Sequence, residues 1–220
     1  QAATTPAGNT VIGAYAIQSG TFTGNNNVVI GKLAGYNMTS ADANIIIGED
    51  AGLEQTTADN NVLIGQGAGE NITTGGDNIF IGSGAGNAHD AETNNLGMGK
   101  DSLGASINGG EYNVAIGNYS LDALTSADKN VAIGYQAGED YNPSANTGNC
   151  VFVGAQAGLN ASSTIKTTFI GAGSGGSGAT SGAENTAVGY QSGYKLTSGT
   201  HNVFIGNETG KEILASDSNT

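Results

Sequence analysis

Asn130-Val131-Ala132-Ile133-Gly134-Tyr135-Gln136-Ala137-Gly138 is one copy of a unit that recurs along the whole chain. The unit reads Asn-Val-x-Ile-Gly-x-x-Ala-Gly and is followed by a variable polar stretch. Its first glycine falls at Gly13, Gly31, Gly48, Gly65, Gly82, Gly99, Gly117, Gly134, Gly154, Gly171, Gly189 and Gly206. Seven of the intervals are 17 residues, three are 18 and one is 20. Self-similarity at a fixed short period marks an architecture in which each repeat buries its apolar residues against its neighbours. The expected fold is therefore all-β, a parallel β-solenoid (β-roll) of twelve repeats spanning residues 9–215. Residues 1–8 read as a polar N-terminal tail and candidate assembly segment, and residues 216–220 as a C-terminal tail.

Each position of the unit has a physical reading. Asn stands four residues before the glycine in ten units, among them Asn27, Asn44, Asn61, Asn78, Asn95, Asn113 and Asn130. Cys150 and Thr167 take that place in two others. Asn repeated at one turn position can bond its copies in neighbouring coils, forming a ladder. A three-residue strand follows. Its first and third members are apolar or Thr, as in Val28 and Ile30 or Ile45 and Ile47. Alternate residues share a face, and this pair is expected to form the core of the coil. Small residues such as Ala34, Ala51, Ala68 and Ala137 come three after the glycine, where the second side of the coil must approach closely.

The middle strand residue is then expected to face outward, where a solvated solenoid places polar groups. It is instead apolar or glycine throughout: Val11, Val29, Ile46, Leu63, Phe80, Phe152, Phe169 and Phe204, with Gly97, Ala115, Ala132 and Ala187 between. A strand apolar on both faces is buried on both. These residues are therefore read as a self-association stripe covered by other copies of the chain.

Composition agrees with a repeat array. Glycine supplies 38 of 220 residues, proline only 2, and charged residues 11%. Abundant glycine with little charge suits short strands and tight turns rather than disorder. Six Lys plus Arg against 19 Asp plus Glu give a net charge of −13, which repels nucleic acid. No apolar run is long enough for a membrane-spanning helix. The chain begins at Gln1, which fits a processed, secreted protein.

Units such as Asn113-Val114-Ala115-Ile116-Gly117 and Asn130 to Gly138 resemble the head repeats of trimeric autotransporter adhesins. They are similar also to repeats in phage tail-fibre and tail-spike shafts. The resemblance covers about Asn9 to Gly210. It implies a parallel β-roll, often trimeric, with the apolar middle residues turned toward partner chains. It implies attachment to surfaces or host receptors and no catalysis.

Catalytic and metal chemistry finds few residues to rest on. Ile-Gly-x-x-Ala-Gly also fits one hexad of the left-handed hexapeptide repeat of acyltransferases, but those enzymes need a catalytic histidine. His89 and His201 both read as solvated loop residues. Gly171 to Gly178 lacks the Lys-Ser/Thr that completes a phosphate loop. Asp42, Asp59, Asp77 and Asp128 recur before the ladder Asn and are weak Ca²⁺ candidates, since stacked carboxylates offer hard oxygen ligands. A column of Thr39, Thr56 and Thr73 raises ice binding, but it is interrupted elsewhere. The expected protein is a non-enzymatic, extracellular, self-associating subunit of a fibre, as trimer or head-to-tail filament. The alternative is a host-binding adhesin or tail-fibre shaft that takes a cell-surface glycan or protein.

Overall fold

The computed structural model describes residues 6–105, 109–143, 148–176 and 178–219. It contains twelve strands of three residues: β1 (Thr10–Ile12), β2 (Val28–Ile30), β3 (Ile45–Ile47), β4 (Val62–Ile64), β5 (Ile79–Ile81), β6 (Leu96–Met98), β7 (Val114–Ile116), β8 (Val131–Ile133), β9 (Val151–Val153), β10 (Thr168–Ile170), β11 (Thr186–Val188) and β12 (Val203–Ile205). The fold is an all-β parallel solenoid, and no helix occurs among the described residues.

The chain forms two compact units, Gln1–Asn108 with β1 to β6 and Gly109–Thr220 with β7 to β12. Within each unit every strand pairs in parallel with the next, position for position, as in Ile45↔Val62 and Ile47↔Ile64 or Val131↔Val151 and Ile133↔Val153. The rest of each coil is irregular but equally in register. Thr39 N–H donates to the Thr56 carbonyl, and Thr56 N–H to that of Thr73. The backbone is thus satisfied between coils rather than within them.

The first glycine of the unit is imposed by geometry. At Gly134 φ is +136°, and a Cβ there would lie 2.6 Å from the carbonyl oxygen of Gly154 in the next coil. A Cβ added to Gly31, Gly48 or Gly117 would lie 2.2–2.3 Å from the carbonyl oxygen of the next coil's glycine. Only a residue without a side chain fits.

The faces of the strand are the reverse of the expectation. Val29, Ile46, Leu63, Phe80, Phe152 and Phe169 are 0% exposed and Phe204 is 3% exposed within a single chain. They fill the coil's own interior. Val11 belongs to the same column and is 44% exposed because only β2 flanks its strand. This column is therefore interior core and not the self-association stripe expected from the sequence. The physical reason is parity. The ladder Asn is buried, and residues two apart in an extended segment share a face, so the middle residue is drawn inside with it.

Interior volume is shared between two positions of each coil. From β2 onward, where the middle residue is large, the fourth residue after the first glycine is Gly: a Cβ on Gly86 would lie 2.4 Å from the Phe80 ring, and one on Gly158 equally close to Phe152. Where the middle residue is Gly97 or Ala115, the fourth position holds Leu103 or Leu121, both fully buried. Close packing demands such an exchange. The backbone at this position is left-handed in either case, φ +58° at Gly86 and +49° at Leu121.

The segments read as tails carry coil contacts where they are described. Ala7 N–H donates to Asn25 Oδ1. Asn219 N–H and Nδ2 donate to Asn202 Oδ1, and the Asn219 carbonyl accepts from Val203 N–H. Residues 1–5 and Thr220 lie outside the described residues.

Candidate functional site: the outer face of the strands

The Asn ladder forms as expected, inside the coil. Asn44 Nδ2 donates to the Ala58 carbonyl at 2.9 Å, while its Oδ1 accepts from Asn61 N–H at 2.8 Å. The same pattern links Asn27, Asn61, Asn78 and Asn95 in the first unit. Asn113 and Asn130 carry it in the second. A buried amide that satisfies backbone groups of its own and the next coil fixes the register of the stack. Cys150 occupies a rung: its N–H donates to Asn130 Oδ1, and its buried thiol lies against the carbonyls of Gly148 and Thr164. Burial raises the thiol pKa, which makes it a poor nucleophile.

The histidines part company. His201 is exposed and pairs with Glu184 at 2.7 Å, beside Lys166. His89 is not a solvated loop residue. It is fully buried in the column that elsewhere holds Met38, Gln55 and Ile72, with its ring 4.7 Å from Phe80. Neither ring nitrogen has a hydrogen-bond partner. Burial lowers its pKa from 6.5 to about 3, a nearby Gly86 backbone group offsetting part of the shift.

The aspartates are turn groups with backbone partners. Asp59 Oδ1 accepts from Asp42 N–H, Asp42 Oδ1 from Asn25 N–H, and Asp128 Oδ1 from Glu111 N–H. Asp77 stands one residue further along its coil, at a left-handed position, and is exposed. Of the four, Asp42 and Asp59 stack directly on each other. Among the described residues no three His, Cys, Asp or Glu side chains gather as a metal site. The threonine column spends its hydroxyls inside the stack, Thr39 Oγ1 on the Thr56 carbonyl and Thr56 Oγ1 on that of Thr73.

What remains open is the other face of the strands. The first and third residues, expected from the sequence to form the core, point outward. Ile45 and Ile79 are 40% exposed, Ile133 39% and Ile170 38%. In the first unit the two rows run Thr10, Val28, Ile45, Val62, Ile79, Leu96 and Ile12, Ile30, Ile47, Ile64, Ile81, Met98. In the second they run Val114, Val131, Val151, Thr168, Thr186, Val203 and Ile116, Ile133, Val153, Ile170, Val188, Ile205. Six strands about 4.8 Å apart make each double row roughly 24 Å long. No charged side chain or amide interrupts it.

No family profile, curated protein or solved structure matches this chain.

Proposed function

We propose that this chain is a non-enzymatic structural protein of an extracellular fibre, a solenoid that packs side by side with copies of itself through the outer face of its strands. The observation that carries the reading is the aliphatic double row. β-Branched residues standing on a flat, rigid ladder form a contiguous apolar surface, and monomeric proteins seldom leave such a surface to water. Its occupant is a second copy. The row has the same spacing in every copy, so two or three chains at equal height would meet with matching relief along the full length of a unit. Residues such as Val62 and Ile64 are already fixed by the ladder, so little conformational entropy is lost on contact.

Sedimentation equilibrium tests the reading. The wild type is expected to be a discrete oligomer at micromolar concentration. Replacing Ile45, Ile79, Ile133 and Ile170 together by Lys should give a folded monomer. A wild type that stays monomeric up to the highest soluble concentration would defeat the proposal.

A further inference from the structure

The corner that follows the strands in the second unit differs chemically from its counterpart in the first. Of the residues at the two positions after the first glycine, five are charged in the first unit: Lys32, Glu49, Asp50, Lys100 and Asp101. From the coil of β7 to that of β11 in the second, the same positions hold tyrosines, amides and small residues. These positions are themselves uncharged, with Glu139 bonded to Gln136 and Glu208 beside Tyr190 at their margin. Tyr135 and Tyr190 occupy the same column three coils apart, roughly 14 Å, and are 50% and 52% exposed. Tyr119 meets Tyr135 edge-on at 6.2 Å and steadies its ring. Gln156 Nε2 donates to Gln136 Oε1 at 2.9 Å, Gln136 bonds Glu139 in turn, and the exposed Gln156 faces solvent. Ala155 and Ala172 lie between the two tyrosines and leave the space above them open.

The platform is rigid. Gln156 N–H donates to the Tyr135 carbonyl at 2.8 Å, Gln191 N–H to that of Ala172, and Glu208 N–H to that of Tyr190. Gln136, Gln156 and Gln191 all have left-handed φ, between +49° and +58°.

We propose that this ridge binds an extended neutral oligosaccharide laid along the solenoid from Tyr135 to Tyr190. The electron-rich face of a tyrosine ring attracts the weakly positive C–H groups on the flat face of a pyranose. Tyrosine supplies that contact at low entropic cost. Amides that both donate and accept suit vicinal hydroxyls. The carboxylates at its margin, Glu139 beside Gln136 and Glu208 beside Tyr190, select against anionic glycans, and the three-coil span selects chains over monosaccharides. The inference goes beyond self-association: the ridge lies beside the aliphatic face, and a chain that fails to associate still presents it.

The test is titration of the full chain with cellohexaose, chitohexaose and maltohexaose, with hexameric hyaluronan as the anionic probe. Binding is read by calorimetry and by tyrosine emission, which no tryptophan obscures. The expected result is saturable binding of at least one neutral hexasaccharide, insensitive to salt. Tyr135→Ala and Tyr190→Ala should each weaken it by about tenfold or more, with unchanged far-ultraviolet circular dichroism. Tyr112→Ala, on the other side of the strand, should leave it intact. No saturable binding of any neutral probe, binding of hyaluronan alone, or binding that survives both tyrosine substitutions would overturn the proposal.

Discussion

Asn44 and Ile46 stand two residues apart and are both 0% exposed, the one bonding its neighbours above and below, the other filling the same interior. That pairing decides which way every strand faces. Asn44→Ala would leave Asn61 N–H buried without a partner, while the Ala58 carbonyl keeps its bond from Gln55 Nε2. An orphaned buried donor costs about 1–3 kcal/mol, so the variant should lose about 2 kcal/mol. Asn37, whose amide bonds Glu54 near the surface, serves as the control, and Asn37→Ala should cost under about 1 kcal/mol. Urea melts of the two variants would settle the comparison.

The rung at Cys150 is a weak one. Its thiol contacts the Thr164 carbonyl at 3.7 Å, where Asn44 makes a 2.9 Å bond to Ala58. Cys150→Asn should restore that bond and raise stability by about 1 kcal/mol. A melting temperature that falls would show that the site has no room for the amide.

Gly134→Ala should cost at least about 3 kcal/mol, because it combines a φ of +136° with a backbone collision. Gly20 has nothing within 4 Å of an added Cβ, and Gly20→Ala should change stability by less than about 0.5 kcal/mol. Equal melting curves for the two variants would contradict the close approach of successive coils.

Acid should loosen the first unit through His89. Above pH 6.5 the ring is neutral in both folded and unfolded chains and contributes nothing to the pH dependence. Below 6.5 the unfolded chain takes up a proton that the buried ring refuses until about pH 3. Stability is therefore lost progressively as pH falls through that window, on the order of 5 kcal/mol in all. His89→Met, which copies Met38 of the same column, should flatten this part of the profile. Parallel stability profiles for variant and wild type would show that the ring is not the source.

Much of this is legible in the repeat. The glycine period locates all twelve strands, and Asn at a fixed position announces the ladder. The orientation of the strands is misleading because residues such as Ile45, Ile46 and Ile47 are apolar on both faces, and a three-residue strand offers no polar alternation to choose between them. Two signals in the sequence bear on it. The ladder Asn shares parity with the middle residue, and large middle residues pair with Gly in the same coil while Gly97 and Ala115 pair with Leu103 and Leu121. His89 is misplaced by sequence for a related reason: its column holds Met38, Ile72, Leu124 and Leu196, an interior set that becomes visible only when the coils are aligned past their variable stretch. The left-handed turns at Leu33, Tyr119 and Lys129 are marked only by their columns, which elsewhere hold Gly67 and Gly84 or Asn26, Asn60 and Asn94. Contacts with neighbouring coils impose them on residues that do not favour them.

Side-by-side packing requires that Ala132 face inward, that Ile133 face outward, and that a second copy cover Ile133. Maleimide labelling of Ala132→Cys and Ile133→Cys measures all three, with Cys150 buried and silent. Ile133→Cys should react readily in dilute solution and slow sharply as concentration drives association, while Ala132→Cys stays unlabelled until the chain unfolds. If Ala132→Cys reacts as fast as its neighbour, or if Ile133→Cys reacts at the same rate at every concentration, the outer face of the strands is not where this protein meets itself.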